Sequence, residues 1–523
     1  MDEQITQYIQ AICEELSFNE YSLTRVIQDC TEAILSMNCD TKNGEYIEEA
    51  FEKIAISSDN METSVYFYSA ALAVDHSCAI LENFLDFCLQ NKERLNPSMH
   101  YFLYGQFESI IFRMPHLSNT LNKVKIEKIF EYAVSCYAAA LDDLLTPIAE
   151  KQRNDQFVIV LTGQFLGFQH GPTKSAADRC KIIIEKMQKK VLLINTAEML
   201  STVGETPFID CAYANYKEEL TEKEEVEWKS CKIPFFQCEN NMPNLATVRM
   251  LLSVIQRQKP AFIVSIGAGG IVTALAAKMV PALCVGMIPS TLSVTGAKYQ
   301  TLSHPLEAED REFLLAVGKG EDSVIVGTFG SSILSVTAQL ERIGVGLPPE
   351  KWLAAVVGAR LDEELTSEFW NMAEAVERTG VEFVVIGRYD PNRLEGVYQA
   401  HPSLCNKVHY VGMVENTLNY LNLCDLYINP VRRGGGTSCV EAMSLGIPVI
   451  TTSYGDVAVN VGEIFHTLSY ATMPEIINRY IHDPKLYAER SRLAKERASV
   501  LLNAEDSFVQ IISDFLHREQ VGI

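Results

Sequence analysis

Two successive series of short β-branched runs, each run followed by a stretch of helical periodicity, constrain this chain more than any other feature. The first series is FVIVLTG (157–163), VLLIN (191–195), AFIVSIG (261–267), ALCVGM (282–287) and VIVGTF (324–329). The second is LAAVVG (353–358), EFVVIG (382–387), VHYVGM (408–413), DLYIN (425–429) and PVITT (448–452). Strands that alternate with helices predict a parallel sheet with helices on both faces. Two such doubly wound units in tandem predict a ligand cleft at the carboxyl ends of their strands.

The chain before them reads as helix only. In the segment from Ile126, apolar residues fall at Ile126, Ile129, Phe130, Ala133, Tyr137, Ala140, Leu141 and Leu144. That is one face of a helix of period 3.6, which Pro147 is expected to end. No repeat of fixed period is present, so a repeat solenoid is not supported. A chain of 523 residues fits about three domains at roughly 150 residues each. The expected division is an all-α segment 1–150, a Rossmann-like α/β unit 151–347 and a second Rossmann-like unit 348–523 that closes with charged helices from Pro484.

Composition narrows the partners. The net charge is −23, which disfavours a broad surface for a nucleic-acid backbone but leaves room for a local basic pocket. Fourteen cysteines are scattered without a Cys-x-x-Cys pair, as expected of free thiols in a reducing compartment and not of a zinc site. The N-terminus, MDEQITQYIQ, is acidic and unlike a signal peptide. The most apolar stretch, 261–289, is interrupted by Gly267, Gly269, Gly270, Lys278 and Pro281, so buried strands fit it better than a membrane span. A cytoplasmic location without a transmembrane segment is the expectation. Self-association is left open.

The chemistry concentrates in CDLYINPVRRGGGTSCVEAMSLGIPVITT, residues 424–452. A strand ends near Asn429; Arg432 and Arg433, then Gly434, Gly435 and Gly436 follow; Thr437 and Ser438 open a helix that runs to Gly446. Glycines let a backbone approach an anion closely, and a helix N-terminus offers unpaired N–H groups with partial positive charge. Thr437 and Ser438 add hydroxyls, and Arg432 or Arg433 full charge for a diphosphate. Glu441 stands about one turn on, where a carboxylate accepts both hydroxyls of a ribose. GAGG (267–270) lacks the spacing of a dinucleotide fingerprint, so NAD is rejected.

On these residues the chain resembles GT-B glycosyltransferases. Glu441 to Ile450 is similar to the Glu-Ala-Met-x-x-Gly-x-Pro-Val-Ile stretch of glycosyltransferase family 4. Gly435, Gly436, Thr437, Ser438 and Glu441 occupy the places of the donor loop of the O-GlcNAc transferase family, with Gly436 in place of that family's histidine. Arg433 stands where retaining family 4 enzymes carry the first Glu of a Glu-x7-Glu pair, a departure that weakens a claim of retaining chemistry. The resemblance implies phosphate contacts for Thr437 and Ser438 and a ribose contact for Glu441. It also implies that Arg360, in VVGARLDEELTSEFW (356–370), stabilises the leaving nucleoside diphosphate. His170, in LTGQFLGFQHGPTKS (161–175), becomes a candidate acceptor-side base or positioning group. Pro289, Ser290 and Thr291 become candidates to line the sugar or acceptor site.

The expected protein is therefore an α/β GT-B glycosyltransferase, hexosyl- or N-acetylhexosaminyl-transferring. Its donor is a nucleotide-sugar, UDP-linked by expectation. No metal or other cofactor is expected, since no Asp-x-Asp triplet is present. The acceptor is expected to be a protein, because a helical domain before a GT-B core also occurs in bacterial protein N-glucosyltransferases. The rival readings are a nucleotide-sugar 2-epimerase of the same fold and a non-catalytic GT-B partner subunit. The sugar, the base, the acceptor's identity and the stereochemical outcome are not legible.

Overall fold

The computed structural model describes residues 2–18, 25–36, 41–168, 170–200, 216–327 and 333–521. Seven helices come first: α1 (Asp2–Phe18), α2 (Arg25–Ser36), α3 (Thr41–Ser57), α4 (Met61–Asp75), α5 (Cys78–Gln90), α6 (Pro97–Arg113) and α7 (Thr120–Ala140). Side-chain caps fix several starts: Asn60, Asn96 and Asn119 each accept an N–H of the first turn of the helix they precede, satisfying donors that have no intrahelical partner. The helix expected to run to Pro147 stops at Ala140. Ala140 is exposed while Leu141 is buried, so the chain turns through Asp142–Leu144 to keep Leu141 inside.

The first α/β series contains β1 (Asn154–Thr162), α8 (Gly171–Glu185), β2 (Lys190–Asn195), β3 (Glu225–Trp228), β4 (Cys231–Gln237), α9 (Leu245–Gln258), β5 (Pro260–Ile266), α10 (Ile271–Ala276), β6 (Ala282–Val285), β7 (Tyr299–Leu302), α11 (Ala308–Ala316) and β8 (Val324–Val326). The strand order is β3-β4-β2-β1-β5-β6-β7-β8. Pairing is parallel from β4 through β7, and β3 joins β4 as an antiparallel hairpin. Of the expected last strand, residues 328 and 329 lie outside the described residues. β3, β4 and β7 were not expected. β4 carries Pro234, and its inward and outward residues alternate strictly, so it lacks the continuous apolar run that marked the others.

The second series contains β9 (Trp352–Gly358), α12 (Leu361–Glu364), α13 (Ser367–Glu377), β10 (Val381–Gly387), α14 (Arg393–Ala400), β11 (Val408–Gly412), α15 (Thr417–Leu421), β12 (Leu426–Ile428), α16 (Gly436–Ser444), β13 (Val449–Thr452), α17 (Gly455–Val461), β14 (His466–Thr467) and the closing helices α18 (Met473–His482), α19 (Pro484–Leu501) and α20 (Ala504–Val521). All six strands are parallel, in the order β11-β10-β9-β12-β13-β14. The direction of the winding reverses between β9 and β12, and the loops leaving those two strands diverge at the place where α/β sheets bind ligands. The α/β architecture with an all-helical N-terminal segment is thus the one the sequence implies. β14 is two residues long and went unforeseen.

Packing groups the described chain into two compact units. One holds residues 1–287, 292–301 and 306–324; the other holds 288–291, 302–305 and 325–523. The helical segment's core is continuous with that of the first sheet: Phe102, Phe107 and Phe130 bury into one cluster with Ile159, Leu161, Ile263 and Ile271 of the first sheet's layers. GAGG serves this packing. A side chain at Gly269 would strike the Tyr104 hydroxyl at 2.4 Å and the Phe130 ring at 3.1 Å, and Tyr101 donates its hydroxyl proton to the Gly269 carbonyl at 3.2 Å. Among the described residues, no helix is long and apolar enough to cross a membrane.

Phe130 is 1% exposed and packs against Tyr104 with ring centroids 4.8 Å apart. Phe130→Ala is expected to cost about 3–5 kcal/mol in urea denaturation. Because the core is shared, it should also speed hydrogen exchange in β5. Unchanged exchange there would show that the helices fold as a separate domain.

Candidate functional site

The site is built from the ends of β9 and β12. After β12 the chain passes Asn429, Arg432 and Arg433 and enters Gly434 and Gly435, whose φ values are +82° and +80°. Both angles lie in the left-handed region that side chains disfavour. Gly435 has a second reason to be glycine: a Cβ there would lie 2.6 Å from the Arg432 guanidinium. Gly435 caps α16, and the first intrahelical N–H bond runs from Cys439 to Gly435 at 3.3 Å. The N–H groups of Gly436, Thr437 and Ser438 therefore have no intrahelical partner and open at one helix end, where a helix attracts negative charge.

Sequence reasoning offered Arg432 as a ligand for phosphate, and the structure corrects this. Arg432 is 5% exposed. Its Nε donates to Asn429 Oδ1 at 2.9 Å, its Nη1 to Glu364 Oε2 at 2.6 Å, and its Nη2 to the Val357 carbonyl at 2.7 Å and the Tyr427 hydroxyl at 3.1 Å. Four of its five N–H donors are thus engaged inside the protein. Ser438 is engaged as well. Its hydroxyl lies 2.8 Å from the Tyr427 hydroxyl and within reach of the Gly435 carbonyl at 3.0 Å. Arg432 donates to Tyr427, and either hydroxyl can donate across the Tyr427–Ser438 contact. Burial pushes the Tyr427 phenol up to about 12, against the pull of Arg432.

Two further guanidinium groups stand beside this loop: Arg360, and Arg433, which is 8% exposed. Arg360 stands between β9 and α12 with a third of its side chain exposed, 34%. Its Nη2 donates to Glu364 Oε1 at 3.0 Å and to the Arg433 carbonyl at 3.3 Å. Glu364 therefore holds one guanidinium on each oxygen, Arg360 on Oε1 and Arg432 on Oε2. Arg433 donates from Nε to the Tyr454 hydroxyl at 2.8 Å. Thr437 is exposed, and Glu441, 8% exposed, lies four residues further on the same face of α16.

Pro289, Ser290 and Thr291 pack with the second unit. Ser290 donates both its N–H, at 3.2 Å, and its hydroxyl to Asp456 Oδ1 in the first turn of α17. The structure thus gathers Arg360, residues 432–438, Glu441 and Ser290 within one unit. His170 belongs to the other. It caps α8, and its Nδ1 lies 3.2 Å from the Thr173 hydroxyl, which also accepts the Leu166 N–H at 2.8 Å. Burial lowers its pKa to about 4, so its ring is neutral at physiological pH. Below its loop Phe168 stacks on Trp228 at 4.8 Å.

Glu364, Tyr427, Tyr454 and Asp456 were missed by sequence reasoning. Glu364 reads as one acid among several in LDEELTSE, and only its i, i+4 spacing from Arg360 hinted at pairing. No sequence signal links Tyr454 or Asp456 to residues twenty or more positions away.

With this geometry in view, comparison with known proteins defines the class. Residues 359–471 match the family described as Glycosyl transferases group 1. The chain is 28% identical over 229 residues to TuaC of Bacillus subtilis (strain 168), a glycosyltransferase assigned to teichuronic acid biosynthesis; the match takes in 38% of this chain and 56% of TuaC, so the chain spans about half the length of that relative. Among solved structures, a glycosyltransferase from Rickettsia africae aligns over 70% of this chain and 99% of its own, with a TM-score of 0.52 and 12% identity. A mutant Thermobaculum terrenum O-GlcNAc transferase aligns over 99% of this chain and 97% of its own, with a TM-score of 0.53 and 10% identity. The protein has the GT-B glycosyltransferase fold, and its second unit carries the group 1 glycosyl transferase pattern.

Glu364 pairs with a guanidinium that is almost wholly buried. Glu364→Ala should leave Arg432 without its charge partner and cost about 3–5 kcal/mol in equilibrium unfolding. Glu364→Gln, which keeps an acceptor oxygen, should cost less. Equal, small effects of both would show that the pair is not buried as described.

Proposed function

We propose that the protein is a glycosyltransferase that moves a sugar from a nucleotide-sugar donor, a UDP-sugar, to a protein acceptor. The observation that carries the reading is the opening of α16: three amides at one helix end, with Arg433 on the same loop and Arg360, from the loop after β9, bound to the Arg433 carbonyl. A diphosphate placed there meets backbone donors, a helix dipole and two guanidinium groups. Glu441 stands one turn further in, where a carboxylate receives the ribose hydroxyls.

In the reaction, negative charge grows on the diphosphate as the bond from the sugar's anomeric carbon to the phosphate oxygen breaks. A guanidinium aimed there binds the transition state more tightly than the ground state. Arg360 fits that part, because Glu364 and the Arg433 carbonyl fix its guanidinium and a third of its side chain stays open. Positive charge then comes from side chains and a helix end, so no metal ion is needed. His170, neutral at physiological pH, takes the acceptor's proton. The protein acceptor is supported by the long helical segment before the first sheet, an arrangement that the fold of the T. terrenum O-GlcNAc transferase shares along nearly the whole chain.

Thr437→Ala should weaken nucleotide binding by roughly 1.5–3 kcal/mol, one hydrogen bond to a charged phosphate, measured by calorimetry against UDP, GDP, ADP and CMP. Unchanged affinity would remove the site assignment.

Arg360→Ala should lower kcat by about two to three orders of magnitude and raise the donor KM much less. It should also suppress donor hydrolysis without acceptor. His170→Ala should leave nucleotide binding intact and slow transfer roughly 10²–10⁴-fold. The acid limb of transfer should sit near pH 4, where a ring with its pKa lowered to about 4 takes up its proton. A limb near the ordinary histidine value, about 6.5, would assign the base elsewhere. Activity should survive EDTA; loss restored by Mg²⁺ or Mn²⁺ would overturn the metal-free reading.

A further inference from the structure

Asp456 is a buried carboxyl of the second unit to which the proposed chemistry gives no task. It is 4% exposed. Its Oδ1 accepts the N–H and the hydroxyl of Ser290, and it lies beside the glycine loop: a Cβ at Gly436 would come 3.6 Å from the Asp456 Cβ. Burial raises its pKa, while the Ser290 hydrogen bonds and the charge of Arg433 oppose the rise. Gly436 opens α16, and its carbonyl accepts from Asn460 Nδ2 of α17 at 3.2 Å, so α17 packs directly on the loop. Ser290 lies in sequence between two strands of the first sheet, yet residues 288–291 and 302–305 pack with the second unit. The Ser303 N–H donates to the Pro289 carbonyl at 2.7 Å, and His304 Nε2 lies 3.1 Å from the Ser290 carbonyl.

We propose that Asp456 and Ser290 form a clamp that positions the nucleotide-sugar loop, so that residues 288–291 serve the donor and not the acceptor. The proposal rests on the reading of α16 as a nucleotide-sugar site. One carboxyl bound by Ser290 and packed against Gly436 ties the glycine loop to a second backbone segment. It thereby sets the direction in which the amides of Gly436, Thr437 and Ser438 open. The same carboxyl sits within the field of Arg433 and balances that guanidinium when no diphosphate is bound. Asp456 needs no contact with the donor to do this; it acts through Gly436 and Arg433 and is a positioning residue.

The test starts with calorimetry of the full-length protein against UDP, GDP, ADP and CMP, then repeats the tightest nucleotide with Ser290→Ala, Asp456→Asn, Asp456→Ala and the Ser290→Ala/Asp456→Ala double variant. Ser290→Ala should raise the nucleotide Kd about tenfold, the loss of one hydrogen bond to a charged group. Asp456→Ala should raise it at least as much, and the double variant should match Asp456→Ala, because both act through one contact. Asp456→Asn keeps an acceptor oxygen for Ser290 and should recover part of the affinity. In steady state the donor KM should carry the effect, while kcat stays within about twofold and the acceptor KM does not move. Should Asp456→Ala fail to fold, Ser290→Ala and Asp456→Asn decide the matter alone. Unchanged nucleotide affinity in folded variants, full additivity, or a change confined to the acceptor KM would overturn the clamp while leaving the nucleotide site standing. A wild-type protein that binds none of the four nucleotides would overturn the nucleotide site itself, and the clamp with it.

Discussion

The second unit depends on one guanidinium that has almost no access to solvent. Arg432 reaches back from the loop after β12 to the last turn of β9, taking the Val357 carbonyl, Glu364, Asn429 and the Tyr427 hydroxyl in one planar fork. Burying such an ion pair adds little net stability, since desolvation offsets most of the attraction. What it secures is arrangement. The two loops at the reversal of the strand order are held at one spacing, and Glu364 passes that constraint to Arg360 through its second oxygen.

That arrangement dictates the glycines around it. A Cβ at Gly358 would lie 2.6 Å from Arg432 Nη1, and one at Gly435 would lie 2.6 Å from Nη2. The glycine-rich loop is therefore shaped as much by an internal cation as by any anion that binds outside it. The first unit repeats the theme with aromatic rings. In the turn after β5, Tyr104 and Phe130 of the helical segment occupy the space that a side chain at Gly269 would fill, and Glu198 occupies that at Gly270. The helices thereby share a core with the first sheet.

Much of this was legible beforehand. Ten of the fourteen strands were visible as β-branched runs, because a strand buried on both faces must be apolar at every position. The strands that escaped are short or amphipathic: β4 alternates, and β14 has two residues. The glycine-rich loop proposed to bind the donor was visible because glycines, hydroxyl residues and arginines before a helix are adjacent in sequence. The division of labour between Arg432 and Arg433 was not, since neighbouring arginines look alike until one finds an acid 68 positions away. The contact of Ser438 with Tyr427 was hidden for the same reason: Tyr427 lies on the strand before the loop and is reached only when that strand and α16 pack.

By itself the sequence determined the class of fold, two doubly wound α/β sheets behind a helical segment, and the place of the glycine-rich turn that opens α16. Periodicity and local backbone preference are properties of neighbouring residues, so they can be read along the chain. Tertiary structure alone decided that Arg432 takes Glu364 while Arg433 takes Tyr454, that Glu364 bridges two guanidinium groups, that Asp456 holds Ser290, and that residues 288–291 pack with the second unit. Those outcomes depend on the desolvation of charged groups and on hydrogen bonds between distant segments. Both are settled only when the chain closes around them.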